Sequence, residues 1–157
     1  MKTILKVAFG WLIGINAGVL HAAEPAPGDM KALQGTWRGW VVEGKGEQPN
    51  QGIIHLQVVV KDSMMIAQRL DKTKDAALGE GSFKLSLVDQ KKIIDATRTS
   101  APGKGQLNAG IYAIDGDTLK WCVGAPNKER PSDFVTRKGQ FLLILKRDAG
   151  ADAKPGN

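Results

Sequence analysis

The sequence predicts an all-β protein, an antiparallel up-and-down barrel of about eight strands with a short N-terminal helical turn. Three observations carry this expectation. Segments of alternating apolar and β-branched residues recur at short, even spacing between Thr36 and Lys146. Two of them flank Asp115-Gly116, and Asp-Gly between alternating runs is a strong short-range hairpin signal. The last segment, Gln140 to Lys146, is so apolar that an open sheet would expose it as an edge, whereas pairing with the first strand removes that edge.

The elements follow in order. Asp29 is placed to cap one helical turn over Met30 to Gln34, which Gly35 then ends. Thr36 to Glu43 reads as the first strand, with two tryptophans and two valines, and Gly44 to Gly52 as a turn-rich connection. Ile53 to Val60 and Met64 to Leu70 form the next pair around Asp62-Ser63. Asp71 to Gly81 reads as a charged loop holding a turn of helix near Asp75 to Leu78. Ser82 to Val88 sets Phe83, Leu85 and Leu87 on one face, and Lys92 to Thr97 follows as a short strand. Arg98 to Gln106, with Pro102, Gly103 and Gly105, is expected to be a flexible loop. Ala109 to Ile114 and Thr118 to Val123 are the arms of the Asp-Gly hairpin, and Gly124 to Phe134 is a Pro-containing connection to the last strand.

The ends read differently from the middle. Lys2 and Lys6 precede an apolar run, Val7 to Leu20, and His21-Ala22-Ala23 leads into Glu24-Pro25-Ala26-Pro27. That is the pattern of a secretory signal peptide over residues 1–23, cleaved after Ala22 or Ala23. The run is short and Gly-interrupted beside the roughly 20 apolar residues of a membrane-spanning helix, so no span is expected after cleavage. Residues 24–29 form a flexible lead-in, 30–147 the barrel domain, and 148–157 a disordered tail without large apolar side chains. The expected location is periplasmic or extracellular, as a soluble monomer.

Net charge is +6, and removal of the signal takes away two lysines and no acid. Basic residues alternate with acids, as in Lys72 and Lys74 beside Asp71 and Asp75, so no stripe suits nucleic acid. Cys122 is the only cysteine, which excludes an internal disulfide and leaves stability to the core. Such a cysteine acts either as a small buried hydrophobe or as a reactive thiol.

LQGTW, GIYAIDGDTLKWC, RPSDF and LLILKR, in that order between Met30 and Arg147, resemble the uncharacterised lipocalin-like domain family abundant in planctomycete bacteria. The resemblance implies a small exported, lipocalin-like barrel and brings no catalytic or ligand residues with it. Gly35-Thr36-Trp37 is also similar to the lipocalin G-x-W signature, and Arg147 stands where lipocalins hold a basic residue across that tryptophan. Gly35, Trp37 and Arg147 are thereby expected to close one end of the barrel, the guanidinium stacking on the indole. Lys146 is the alternative partner. The second lipocalin motif, T-D-Y, has no counterpart in this chain.

No catalytic constellation emerges. His55 is the single imidazole after the signal, without a G-x-S-x-G elbow, and with Cys122 alone it makes no metal site. Asp115 and Asp117 are turn carboxylates, and PGKGQ lacks the spacing of a phosphate cradle. Alternation sends Trp37 and Trp40 to opposite faces, one to plug the barrel and the other outward. Tyr112, Trp121 and Cys122 read first as ordinary core packing, with a small apolar cavity bordered by them as the functional alternative. Arg130 reads first as a structural group pairing with Asp133 or capping the barrel rim, with a carboxylate or phosphate as its alternative partner. The expected function is an exported, non-catalytic binding domain for a small apolar or amphipathic ligand, without cofactor or metal. The alternative is a filled barrel serving as a protein-interaction or structural module of the cell envelope, with an enzyme ranked last.

Overall fold

The computed structural model describes residues 28–43, 54–71 and 77–150. A helical turn, α1 (Asp29–Leu33), leads into β1 (Gly35–Glu43), β2 (Ile54–Lys61), β3 (Met64–Arg69) and β4 (Ala77–Val88). Four more strands follow: β5 (Lys91–Arg98), β6 (Leu107–Asp115), β7 (Thr118–Val123) and β8 (Phe141–Arg147). Each pairs antiparallel with the next, and β8 pairs with β1 from Trp37↔Arg147 to Glu43↔Phe141, which closes the eight-stranded barrel. Closure leaves the apolar β8 no free edge. No described helix is long and apolar enough to cross a membrane.

Alternation along each strand makes two cores. Trp37, Leu56, Val58, Val60, Phe83, Leu85, Ile94, Tyr112, Leu119, Trp121, Leu143 and Leu145 fill the interior. Ile93, Ile111, Cys122, Leu142 and Ile144 form a second cluster outside it, with Trp40 and Phe134 packed against them. Ile93, Ile111, Cys122 and Leu142 are consecutive register partners across β5 to β8. The 124–140 connection covers this row like a strap. Pro131 is fully buried, Phe134 packs on the cluster, and Arg130 bonds Asp95 at 2.5 Å and the Gly110 carbonyl at 3.2 Å. Arg137 grips Asp133 through both carboxylate oxygens, at 3.0 and 2.9 Å, and with the Val135 N–H holds that carboxyl down at about 2.

Cys122 is completely buried beneath the strap. Burial, then the nearby Asp133 charge, pushes its thiol from 9.0 up to about 11. Because folding favours the neutral thiol, this contribution to stability is fully present below pH 9 and is lost as pH rises through about 11. At pH 8 the folded protein is expected to react with iodoacetamide at least about a hundredfold more slowly than the urea-unfolded chain, from thiolate fraction alone. Equal labelling rates would show that the strap does not shield the sulfur.

Several elements depart from expectation. The helical turn begins at Asp29 with Gly28 as its cap residue, and no side chain caps it. Asp29 instead turns to the barrel, accepting from the Tyr112 hydroxyl at 2.7 Å and pairing with Lys92 at 3.0 Å, so it is no part of a loose lead-in. Ala77 to Gly81 is strand rather than loop, and Leu78 belongs to β4 instead of a helical turn. The 98–106 segment is a bonded loop: Gly105 N–H donates to the Arg98 carbonyl at 2.8 Å and Arg98 N–H to that of Gln106 at 2.9 Å. Asp148, expected in the tail, is held by its N–H on the Thr36 carbonyl at 2.8 Å and by Arg38 at 2.7 Å. The signal segment 1–23, the lead-in residues 24–27 and the tail 151–157 lie outside the described residues.

Candidate functional site

The two ends of the barrel are built for different purposes. At one end, Gly35 takes φ 108°, a left-handed conformation that lets the chain turn from α1 directly into β1. That turn sends Trp37 inward, where it is 0% exposed and its Nε1–H donates to the Leu33 carbonyl at 2.8 Å. The Arg147 guanidinium lies 4.2 Å from the centre of the indole ring. Its Nη1 and Nη2 donate to the carbonyls of Gln34 and Ala32, both at 2.7 Å, and its Nε to Asp117 at 3.2 Å. One side chain thus stacks on the plug and satisfies carbonyls that the end of α1 leaves open. Lys146 is exposed and points outward. Gln34 completes the seal by bonding the backbone of Asp62 in both directions, at 2.6 and 3.0 Å.

The other half is hollow. A cavity of about 150 Å³ is lined by Val58, Met65, Ala67, Leu78, Ala96 and Trp121, with Arg98 and Asn108 as its inward polar side chains. Beneath it lies a void of about 10 Å³ among Leu33, Phe83, Ile94 and Leu119. Trp121, Val58 and Met65 border both spaces and so separate them. The Trp121 indole N–H is buried with no hydrogen-bond partner among the described residues. Gly79 and Gly81 make up part of the wall. A Cβ on Gly79 would sit 3.1 Å from the Arg98 guanidinium, so the missing side chain is the room in which Arg98 lies.

Arg98 continues the inward series Ile94, Ala96, Arg98 on β5. Its Nη2 donates to the Leu78 carbonyl at 2.7 Å, while its Nε is buried without a partner among the described residues. Glu80 also touches this rim, but it falls between Gly79 and Gly81 on the outward set of β4 and is exposed.

Of the four candidate ligand-binding residues, the structure brings only Trp121 to the cavity. Cys122 faces the opposite way, because neighbouring residues of β7 alternate between the barrel interior and the strap. Tyr112 is a cross-strand partner of Trp121 and points inward, but its hydroxyl donates to Asp29, and burial, then that hydrogen bond, raises its pKa. Arg130 fastens the strap to Asp95, outside the barrel. The residue missed was Arg98, which stands at the boundary between strand and loop. Trp40 faces outward opposite His55, half-buried against the outer cluster, and His55 is exposed. Among the described residues no three His, Cys, Asp or Glu side chains gather as a metal site would need. No family model, curated protein or solved structure matches this chain.

Proposed function

We propose that this chain is an exported, non-catalytic binding domain holding one small apolar or amphipathic molecule in the open half of its barrel. The observation that carries the reading is the apolar cavity of about 150 Å³ over Trp121, in a barrel sealed at the opposite end. A cavity of this size takes a molecule about as large as benzene. Eight-stranded barrels are wide enough either to fill with side chains or to hold one small ligand. Here Gly79, Gly81, Ala67 and Ala96 supply small residues where larger ones would close the space. The inward polar groups, a guanidinium and an amide, are donors and acceptors rather than proton-transfer groups near neutral pH, which suits binding over catalysis. Export rests on the N-terminal pattern, and kinship with the lipocalin-like family on the ordered motifs together with the Trp37–Arg147 stack.

Benzyl alcohol serves as the neutral probe. Titrated into the protein, it is expected to shift the Trp121 indole N–H resonance saturably. Ala67→Phe places a ring in the same space and is expected to weaken that binding at least about tenfold while the fold persists. Undiminished binding in Ala67→Phe would move the ligand out of the barrel and sink the reading.

A further inference from the structure

The cavity contains one strong chemical asymmetry. Its walls are mainly apolar, with the exposed Glu80 at the rim, yet a guanidinium lies among them, and Arg98 forms no ion pair among the described residues. The other arginines whose salt bridges are seen, Arg38, Arg69, Arg130, Arg137 and Arg147, each face an aspartate. Arg98 has instead a single bond from Nη2 to the Leu78 carbonyl, which orients the fork against the backbone of β4. Its Nε–H, on the same edge of the fork, is shielded from water and unanswered. A buried donor on a permanent cation, left without an acceptor, is costly unless something else accepts from it. The Trp121 indole N–H is also buried without a partner among the described residues, but it lies against Gly110, outside the cavity lining.

Building on the binding reading above, we propose that the ligand is a small amphipathic carboxylate. Its apolar ring or short chain lies over Trp121, and its carboxylate accepts from the Arg98 fork, with Asn108 as a second inward polar group. Glycine at position 79 is what leaves room for the guanidinium beside the strand, while glycine at 81 lets β4 approach the Thr97 carbonyl of β5. A planar carboxylate matches two parallel N–H donors, whereas a phosphate would call for more positive charge than one arginine brings. The apolar remainder of the wall selects against small hydrophilic acids, which have nothing to place on Trp121.

The test compares benzoate with benzyl alcohol near pH 7, a charged and a neutral ligand of nearly one shape, read by the Trp121 indole resonance. Benzoate is expected to bind about tenfold to a hundredfold more tightly, the range for hydrogen bonds to a charged group. In Arg98→Gln the ratio should fall close to one. Arg98→Lys keeps the charge without the fork, so its ratio should drop several-fold and stay above one. Circular dichroism shows whether each variant folds, and where Arg98→Gln does not, the Arg98→Lys ratio decides. Benzyl alcohol binding as well as benzoate overturns the carboxylate assignment and leaves the binding reading intact. An undiminished preference in either variant removes Arg98 from the role. If neither probe binds the wild-type protein, both readings fall together.

Discussion

Trp37→Ala is expected to destabilise the protein by about 3–5 kcal/mol, the usual cost of removing a large aromatic from a packed core. For a domain of this size that lowers the melting temperature by roughly 10–20 °C. The effect should lie at the upper end because three interactions converge on one ring. Trp37 is fully buried, its N–H satisfies the Leu33 carbonyl, and its face carries the Arg147 guanidinium. Truncation opens a void beneath α1 and strands that guanidinium over it, although Arg147 keeps its bonds to Ala32 and Gln34. Trp37→Phe separates the contributions. It retains most of the apolar area and the stacking face but leaves the Leu33 carbonyl unanswered, so it should cost about 1–3 kcal/mol. Thermal denaturation followed by circular dichroism measures both. A Trp37→Ala protein melting within about 3 °C of wild type would mean that the closed end does not depend on its plug.

That end of the molecule was readable in the amino-acid sequence because its parts are local or periodic. Gly35-Thr36-Trp37 announces a turn followed by an inward indole, and Arg147 ends an apolar strand that must pair with the first. The odd spacing of Trp37 and Trp40 separates their faces, as the structure has them. The hairpin was also clear, though its turn is Gly116-Asp117, with Asp115 paired to Thr118 as the last strand pair. Asp117 does more than turn chemistry requires, since its carboxylate holds Arg147.

The open end was harder to read for a physical reason. A ligand cavity is made by what side chains leave out, and Gly79 and Gly81 on β4 look like loop residues when strand propensity is the guide. Arg98 was visible in principle, because Ile94 and Ala96 fix the inward parity of β5 and Arg98 keeps it. The same parity on β7 already separates Trp121 from Cys122. The strap depended on tertiary packing, although the unbroken apolar runs of β6 to β8 are what a sheet covered on both faces shows.

Gly39 is the second position where a small change should have a large effect, and it concerns closure itself. It lies within β1, opposite Leu56 on one side and Leu145 on the other. A Cβ there would overlap the Ile144 carbonyl and crowd the Leu145 Cα at 2.9 Å, both backbone atoms of β8. No rotamer can relieve such a contact, so the β1–β8 seam must shift. Gly39→Ala is therefore expected to cost about 3 kcal/mol, the upper end of the usual range for overpacking. Amide exchange should accelerate first along β1 and β8 rather than uniformly. Gly79→Ala is the informative comparison, because the nearest atoms to its new Cβ are in the Arg98 side chain, at 3.1 Å, rather than in the backbone. Its stability should stay within about 1 kcal/mol of wild type, since the entropy lost by the unfolded chain offsets a small local adjustment. Wild-type stability and unchanged exchange at the seam in Gly39→Ala would refute the packing argument. A loosened seam with the Trp37 plug still protected would instead show that the two ends of β1 hold independently, the ladder closing the wall and the indole closing the floor.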